Sequence, residues 1–132
     1  MRVLALDYGS ARCGCAISDP TGTLATPIAP VLRPASKKGL ATLTALVRDR
    51  EVGRIVVGLP LGLSGADTPQ TREARAFAER LRDAVDVPVS LYDERFTTAI
   101  AQRAGGTSAS EDSRAAAVLL EDWLARHGAV HG

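Results

Sequence analysis

RVLALDYGSARCGCAISD, residues 2–19, is the stretch whose reading decides the fold. An apolar run over residues 3–6 ends in a carboxylate at Asp7. A Gly9-Ser10 break follows, and a second run of small and apolar residues ends at Asp19. Two apolar runs joined by a short glycine-containing break read as a β-hairpin. A first strand that is apolar at every position, not at alternate ones, is expected to be buried on both faces. Asp7 then closes a buried strand, where an unpaired charge is costly, and a divalent cation is one way to compensate it. Asp-x-Gly is also a common turn tripeptide in which the Asp hydrogen-bonds its own backbone. Other carboxylates converging on Asp7 would separate the two readings.

Outward from the hairpin, residues 23–32 read as a third strand, and Pro27 and Pro30 place it at a sheet edge. Leu40, Leu43, Leu46 and Val47 recur at helical spacing behind a capping Ser36. Residues 54–58 form a short apolar run, a buried strand, and a Gly/Pro/Ser-rich loop leads to Thr68-Pro69, a helix start with Pro at the first helical position. That helix offers Ala74, Phe77, Ala78, Leu81 and Val85 to the core. Its remaining positions mix Arg72, Arg75, Arg80 and Arg82 with Glu73, Glu79 and Asp83, which reads as a solvated face or one side of a nucleic-acid groove. Residues 88–92 read as a further strand ending in Asp93-Glu94-Arg95. A short helix from Thr97-Thr98, a Gly/Ser/Thr-rich loop over 105–110 and a last helix over 111–127 complete the chain.

This order predicts an α/β fold with a sheet of mixed direction, its later strands parallel to the first. Ligands in such sheets gather at the carboxyl ends of parallel strands, where Asp7 and Glu94 would both lie. In the last helix, Asp112, Ala116, Leu119 and Trp123 share one face, flanked by Ala115 and Leu120. Asp112 thus sits at the N-terminal end of an apolar stripe and should point inward with it. An acid favouring a helix N-terminus explains Glu111 as well, but not an acid centred on the buried face.

Composition narrows the function classes. The 132 residues carry a net charge of +1, with 45% hydrophobic and 23% charged residues, as expected of one soluble domain over residues 1–132. Aromatics make up only 4%, too few for a stacking platform for single strands. Lys37 and Lys38 are the only lysines, so the cations are nearly all arginine. Arginine suits bidentate phosphate contacts, and a GC-rich genome gives the same bias. The opening apolar run is cut too early for a signal peptide and no segment approaches a membrane span, so a cytoplasmic location is expected. Cys13 and Cys15 lie two apart on a strand, facing the same way, and read as buried free thiols, not as a disulfide or a zinc site.

These stretches together resemble the YqgF/RuvX family, the Holliday-junction-resolvase-like branch of the ribonuclease H-like superfamily. The resemblance rests on LDYGSARCGCAISD, on VGLPLGLSG over 57–65, on DERFTT over 93–98 and on EDSRAAAVLLEDWL over 111–124. It implies a ribonuclease H-like mixed five-stranded sheet flanked by helices. It implies an acidic triad of Asp7, Glu94 and Asp112, acting as catalytic and metal-binding residues with Mg²⁺ or Mn²⁺. It also implies phosphodiester hydrolysis in structured nucleic acid: maturation of the 16S rRNA 5′ end, or resolution of branched DNA. Cutting a junction symmetrically would call for a homodimer.

Arg12 and Arg95 flank two of the acids, either as substrate-binding groups on phosphates or as structural partners of a carboxylate. Asp93 either holds a metal-binding side chain in place from behind or caps the helix at Thr97, and Asp19 is a turn cap or a catalytic group. Family members often carry lysine shortly before the last acid, where this chain has AGGTSASED over 104–112, so a substrate-binding cation is missing there. Three crowded carboxylates should strain the metal-free fold, so neutralising Asp112 is expected to leave it as stable or slightly more so. Two rivals remain. Asp7-Tyr8-Gly9 and its hairpin also resemble the phosphate-binding hairpin of actin-like ATPases and sugar kinases, which need two such domains. A non-catalytic nucleic-acid-binding accessory factor would fit the near-neutral charge.

Overall fold

Strand β1, Arg2–Asp7, divides the core in two: Leu4 and Leu6 enter one apolar cluster, Val3 and Ala5 the other. This is the two-faced burial expected of a strand with no polar alternation. The computed structural model describes residues 1–94 and 109–127 of the chain. Strand β2, Arg12–Ser18, returns antiparallel with Asp7 opposite Gly14. Strand β3, Ala25–Leu32, follows at the sheet edge, where Pro27 and Pro30 are tolerated because one side of the strand has no ladder to supply.

Helix α1, Lys37–Asp49, starts at Ser36, whose hydroxyl accepts from the Gly39 amide at 3.0 Å, and buries Leu43 and Val47. Strand β4, Val52–Leu59, runs parallel to β1. Helix α2, Pro69–Ala84, is capped by Thr68 with Pro69 at its first turn, and buries Ala74, Phe77, Ala78 and Leu81. Val85 caps the end of this helix and is only partly buried. Strand β5, Val89–Asp93, pairs parallel with β4, giving the order β3-β2-β1-β4-β5.

Helix α3, Ala109–His127, closes the opposite face of the sheet. Its stripe of Ala116, Leu119 and Trp123, flanked by Ala115 and Leu120, packs on Val3, Ala5, Ala16 and Val56. Arg114 and Glu121 are exposed, as the helical spacing requires. Helices α1 and α2 cover the other face, over Leu4, Leu6, Cys13, Cys15, Ile55 and Val57. This is the mixed five-stranded α/β sheet expected from the sequence. The expected short helix from Thr97, most of the 105–110 loop, and Arg95 lie outside the described residues.

Candidate functional site

Asp7 ends the buried central strand and is itself only 5% exposed. Immediately after it the chain turns at residues 8–11. A Cβ on Gly9 would stand 2.6 Å from the Arg12 carbonyl, so only glycine allows so close a turn. Glu94 arrives from the far edge, one residue past β5. Its carboxylate folds back over β4: a Cβ on Gly58 would lie 2.5 Å from Glu94 Oε1. Gly58 therefore leaves the space into which the Glu94 carboxylate fits. Asp7 and Glu94 line one polar cleft of about 170 Å³ at the carboxyl ends of the parallel strands, with Tyr8, Gly9, Ser10, Pro60, Gln70 and Glu73 as its other walls.

The α2 wall is fixed to the sheet by two contacts. The fully buried Thr71 donates its hydroxyl to the Pro60 carbonyl, tying the loop after β4 to the first turn of α2. Tyr8 stacks on Phe77 with ring centroids 4.7 Å apart. The Tyr8 phenol is pushed above its ordinary pKa, first by burial and then by the nearby Glu73 carboxylate.

Asp112 stands on the same face of the sheet but does not line that cleft. Its backbone carbonyl rests on β2, where a Cβ at Gly14 would come within 2.0 Å of it. Gly14 is the cross-strand partner of Asp7, so the start of α3 is brought next to the end of β1. Ser113 locks this docking: its buried hydroxyl donates to the Ile28 carbonyl at 2.6 Å and accepts from the Cys15 amide at 3.3 Å. It bridges the point where the pairing register of β2 and β3 shifts. The Asp112 side chain, 15% exposed, accepts from Arg12 Nε at 2.7 Å.

Arg12 is thus paired with a carboxylate, one of the two roles its place in the sequence left open. Among the described residues, no three Asp, Glu, His or Cys side chains gather closely enough to hold one ion. The structure brings Asp7 and Glu94 to one cleft and holds Asp112 beside it through Arg12.

Asp19 lies at the other end of the hairpin. It accepts from the Thr23 and Leu24 amides at 2.8 and 2.9 Å and from the Thr21 hydroxyl, which hold its pKa well below the usual carboxylate range. It is a turn cap, far from Asp7 along β2. Asp93 closes β5 opposite Leu59. Cys13 and Cys15 are buried free thiols facing the same core. Cys13 is pushed well above its ordinary pKa, by its interaction with Cys15, by burial, and by the Asp7 and Asp112 carboxylates. The sequence reading missed Ser113, Gln70 and the space-giving role of Gly58. A serine following an inward-facing acid was the signal for the first.

A family model described as RuvX, Holliday junction resolvase, matches residues 1–126. A protein of Anaeromyxobacter dehalogenans named "Putative pre-16S rRNA nuclease" is 43% identical, the match covering 96% of this chain and 98% of that one. A Clavibacter michiganensis protein of the same name is 42% identical over 92% of this chain and 81% of its own. The fold is also that of Thermus thermophilus RuvC in complex with a Holliday junction, at TM-score 0.59 and 16% identity, covering 98% and 97% of the two chains. The fowlpox virus Holliday junction resolvase is similar at TM-score 0.54 and 12% identity, covering 96% and 99%. A match over almost the whole length, on a ribonuclease H-like sheet with Asp7 and Glu94 in one cleft, places this chain in the RuvX family of nucleases.

Proposed function

We propose that this protein is a divalent-metal-dependent endonuclease that hydrolyses phosphodiester bonds in structured nucleic acid, with precursor 16S rRNA as its substrate. The observation that carries the reading is the pair Asp7 and Glu94 in one polar cleft, one from a rigid buried strand and one folded over Gly58. Two carboxylates with open polar space around them suit Mg²⁺ or Mn²⁺, which take a few protein oxygens and keep water and substrate phosphate as further ligands. Asp7 and Glu94 would hold such an ion, with Asp112 joining when Arg12 releases it. Bound there, the ion supplies charge stabilisation to the attacking and leaving oxygens of the displacement.

The chain's own groups do the positioning. Asp7 offers acceptor oxygens from a strand that cannot shift without disturbing both cores. Glu94 offers them from one residue past β5, folded over Gly58. Arg12 neutralises Asp112 and, exchanging partners, meets a substrate phosphate; Arg95 would serve the same strand from the segment after Glu94. Water attacks phosphorus and gives its proton to solvent, while the bond to the leaving sugar oxygen breaks with its electron pair going to that oxygen, which takes up a proton from a water of the cleft.

Branched DNA is the second substrate reading, favoured by the description of the family model and by the fold shared with junction resolvases. Two symmetric cuts there would need a homodimer. The near identity in length and the sequence identity to the pre-16S relatives favour RNA. Among the described residues no helix is long and apolar enough to cross a membrane, and work on ribosomal precursors would be cytoplasmic. The test is a side-by-side cleavage assay with Mn²⁺ on precursor 16S rRNA and on a synthetic four-way junction. Wild type should cut the RNA, and Asp7→Asn should cut neither while binding within a few-fold of wild type. Cleavage by Asp7→Asn at the wild-type rate would refute the site, and metal-dependent cleavage of any strand would remove the accessory-factor reading.

A further inference from the structure

Gln70 and Glu73 are polar side chains on the α2 wall of the cleft, facing the pair of acids from the other side. Neither makes a hydrogen bond or ion pair among the described residues, whereas Arg75 on the same helix is paired bidentately with Asp67 at 2.9 and 3.0 Å. Glu73 stands on the wall across from the pair, and among the described residues it is not gathered with Asp7 and Glu94 closely enough for the three to hold one ion. A carboxylate in a cleft that receives a phosphodiester strand repels the phosphates and accepts hydrogen bonds only. Its presence there calls for a donor on the substrate.

The backbone of DNA has no donor. The backbone of RNA has one, the ribose 2′-hydroxyl, which is both donor and acceptor. We infer that Glu73 accepts a hydrogen bond from a 2′-hydroxyl beside the scissile phosphate, so that the α2 wall makes this site selective for RNA. Gln70, one turn earlier and able both to donate and to accept, takes the hydroxyl's lone pairs or the neighbouring sugar oxygen. Arg80 lies on the same helical side, seven residues on and about 10 Å along the axis, and its charge reaches Tyr8. It meets a phosphate of the same strand. The alternation of carboxylate and guanidinium along α2 then matches the alternation of hydroxyl and phosphate along RNA. This inference rests on the nuclease reading for where the strand lies.

The experiment compares wild type, Glu73→Ala and Glu73→Gln on three strands of one sequence: RNA, DNA and fully 2′-O-methyl RNA, which keeps the acceptor and loses the donor. Binding is read by fluorescence anisotropy in Ca²⁺, and cleavage separately with Mn²⁺. Wild type should prefer RNA to both other strands by about tenfold, the worth of one charge-assisted hydrogen bond. Glu73→Ala should bring the ratio near one by weakening RNA alone, and Glu73→Gln should fall between. Glu73 is exposed, so melting curves of the variants should match wild type.

An RNA-to-DNA ratio that is the same in wild type and Glu73→Ala overturns the assignment. So does a preference that follows base sequence instead of the sugar. If the ratio responds to Glu73 but nothing is cleaved, the assignment stands and the nuclease reading falls. Cleavage with an unresponsive ratio does the reverse, and a wild-type protein that binds none of the strands overturns both.

Discussion

Asp112→Asn separates what the sequence implies from what the structure implies. Crowded carboxylates predict that neutralising one leaves the metal-free protein unharmed or improved. The structure pairs Asp112 with Arg12 at 2.7 Å, the two side chains 15% and 35% exposed, so the variant also removes a counter-charge. A hydrogen bond to a charged group contributes about 1.5–3 kcal/mol when sheltered, and an exposed ion pair about 0–1 kcal/mol. With Arg12 about a third exposed and Asn keeping a neutral acceptor, the loss lies between those limits, about 1 kcal/mol net of the relieved repulsion from Asp7.

Near the midpoint, that corresponds to a Tm lower by about 3–5 °C for a chain of this length. Scanning calorimetry in the presence of chelator measures it. Arg12→Ala should cost a similar amount, and the double variant should cost less than the sum of the two singles, because both remove the same contact. Added Mn²⁺ should raise the wild-type Tm, since binding to the native state alone shifts the equilibrium, and should raise that of Asp112→Asn less. An apo Tm equal to or above wild type, or strict additivity in the cycle, would show that the Arg12–Asp112 contact does not stabilise the fold.

Three further outcomes are expected. Gly58→Ala sets a methyl group against the end of the Glu94 side chain; it should change the Tm little yet weaken Mn²⁺ binding at least tenfold by calorimetric titration, and undiminished binding would remove Glu94 from the metal site. Ser113→Ala deletes the hydroxyl between the Ile28 carbonyl and the Cys15 amide, for a loss of about 1–3 kcal/mol in urea melts; a smaller loss would mean that α3 docks without it. Tyr92 is pushed up to about 12 by burial and by its hydrogen bond to Asp122. Its neutral form is therefore favoured by the fold: the contribution is complete below the ordinary value of 10.0 and is lost as pH rises towards about 12. Tyr92→Phe should flatten the fall of stability over that range, and an unchanged alkaline profile would contradict the shift.

The parts of the fold that were legible in the sequence are those set by local pattern. The unbroken apolar run of β1, the prolines of β3, the Ser36 and Thr68 caps and the stripe of α3 each carry their own physical signal, and each element forms where that signal lies. Helix ends were less legible. Val85 fits the apolar spacing of α2 but caps it in extended geometry, because spacing says which face is buried and not where the hydrogen-bond ladder stops. Asp19 was ambiguous because a turn-capping Asp and a site Asp look alike until their partners are known; its partners prove to be the amides two strand-ends away from Asp7.

The site was legible in its acids and not in what admits them. An acid delivered from a distant part of the chain needs room beside Asp7, and in both described cases a glycine on a neighbouring strand leaves it. Gly58 makes way for the Glu94 carboxylate, and Gly14 for the Asp112 backbone. The two costs differ in kind. At Gly58 the obstacle to a methyl group is the end of a flexible side chain, which can swing away, so function is lost before stability. At Gly14 it is helix backbone, held down by Ser113, and no small motion relieves it. Gly14→Ala should therefore lift the start of α3 from the sheet and lower stability by about 3 kcal/mol, the upper end of the usual cost of overpacking, together with any activity. Urea unfolding of the two alanine variants side by side measures the contrast. If Gly14→Ala is no less stable than Gly58→Ala, the close seating of α3 on β2 is not what positions Asp112.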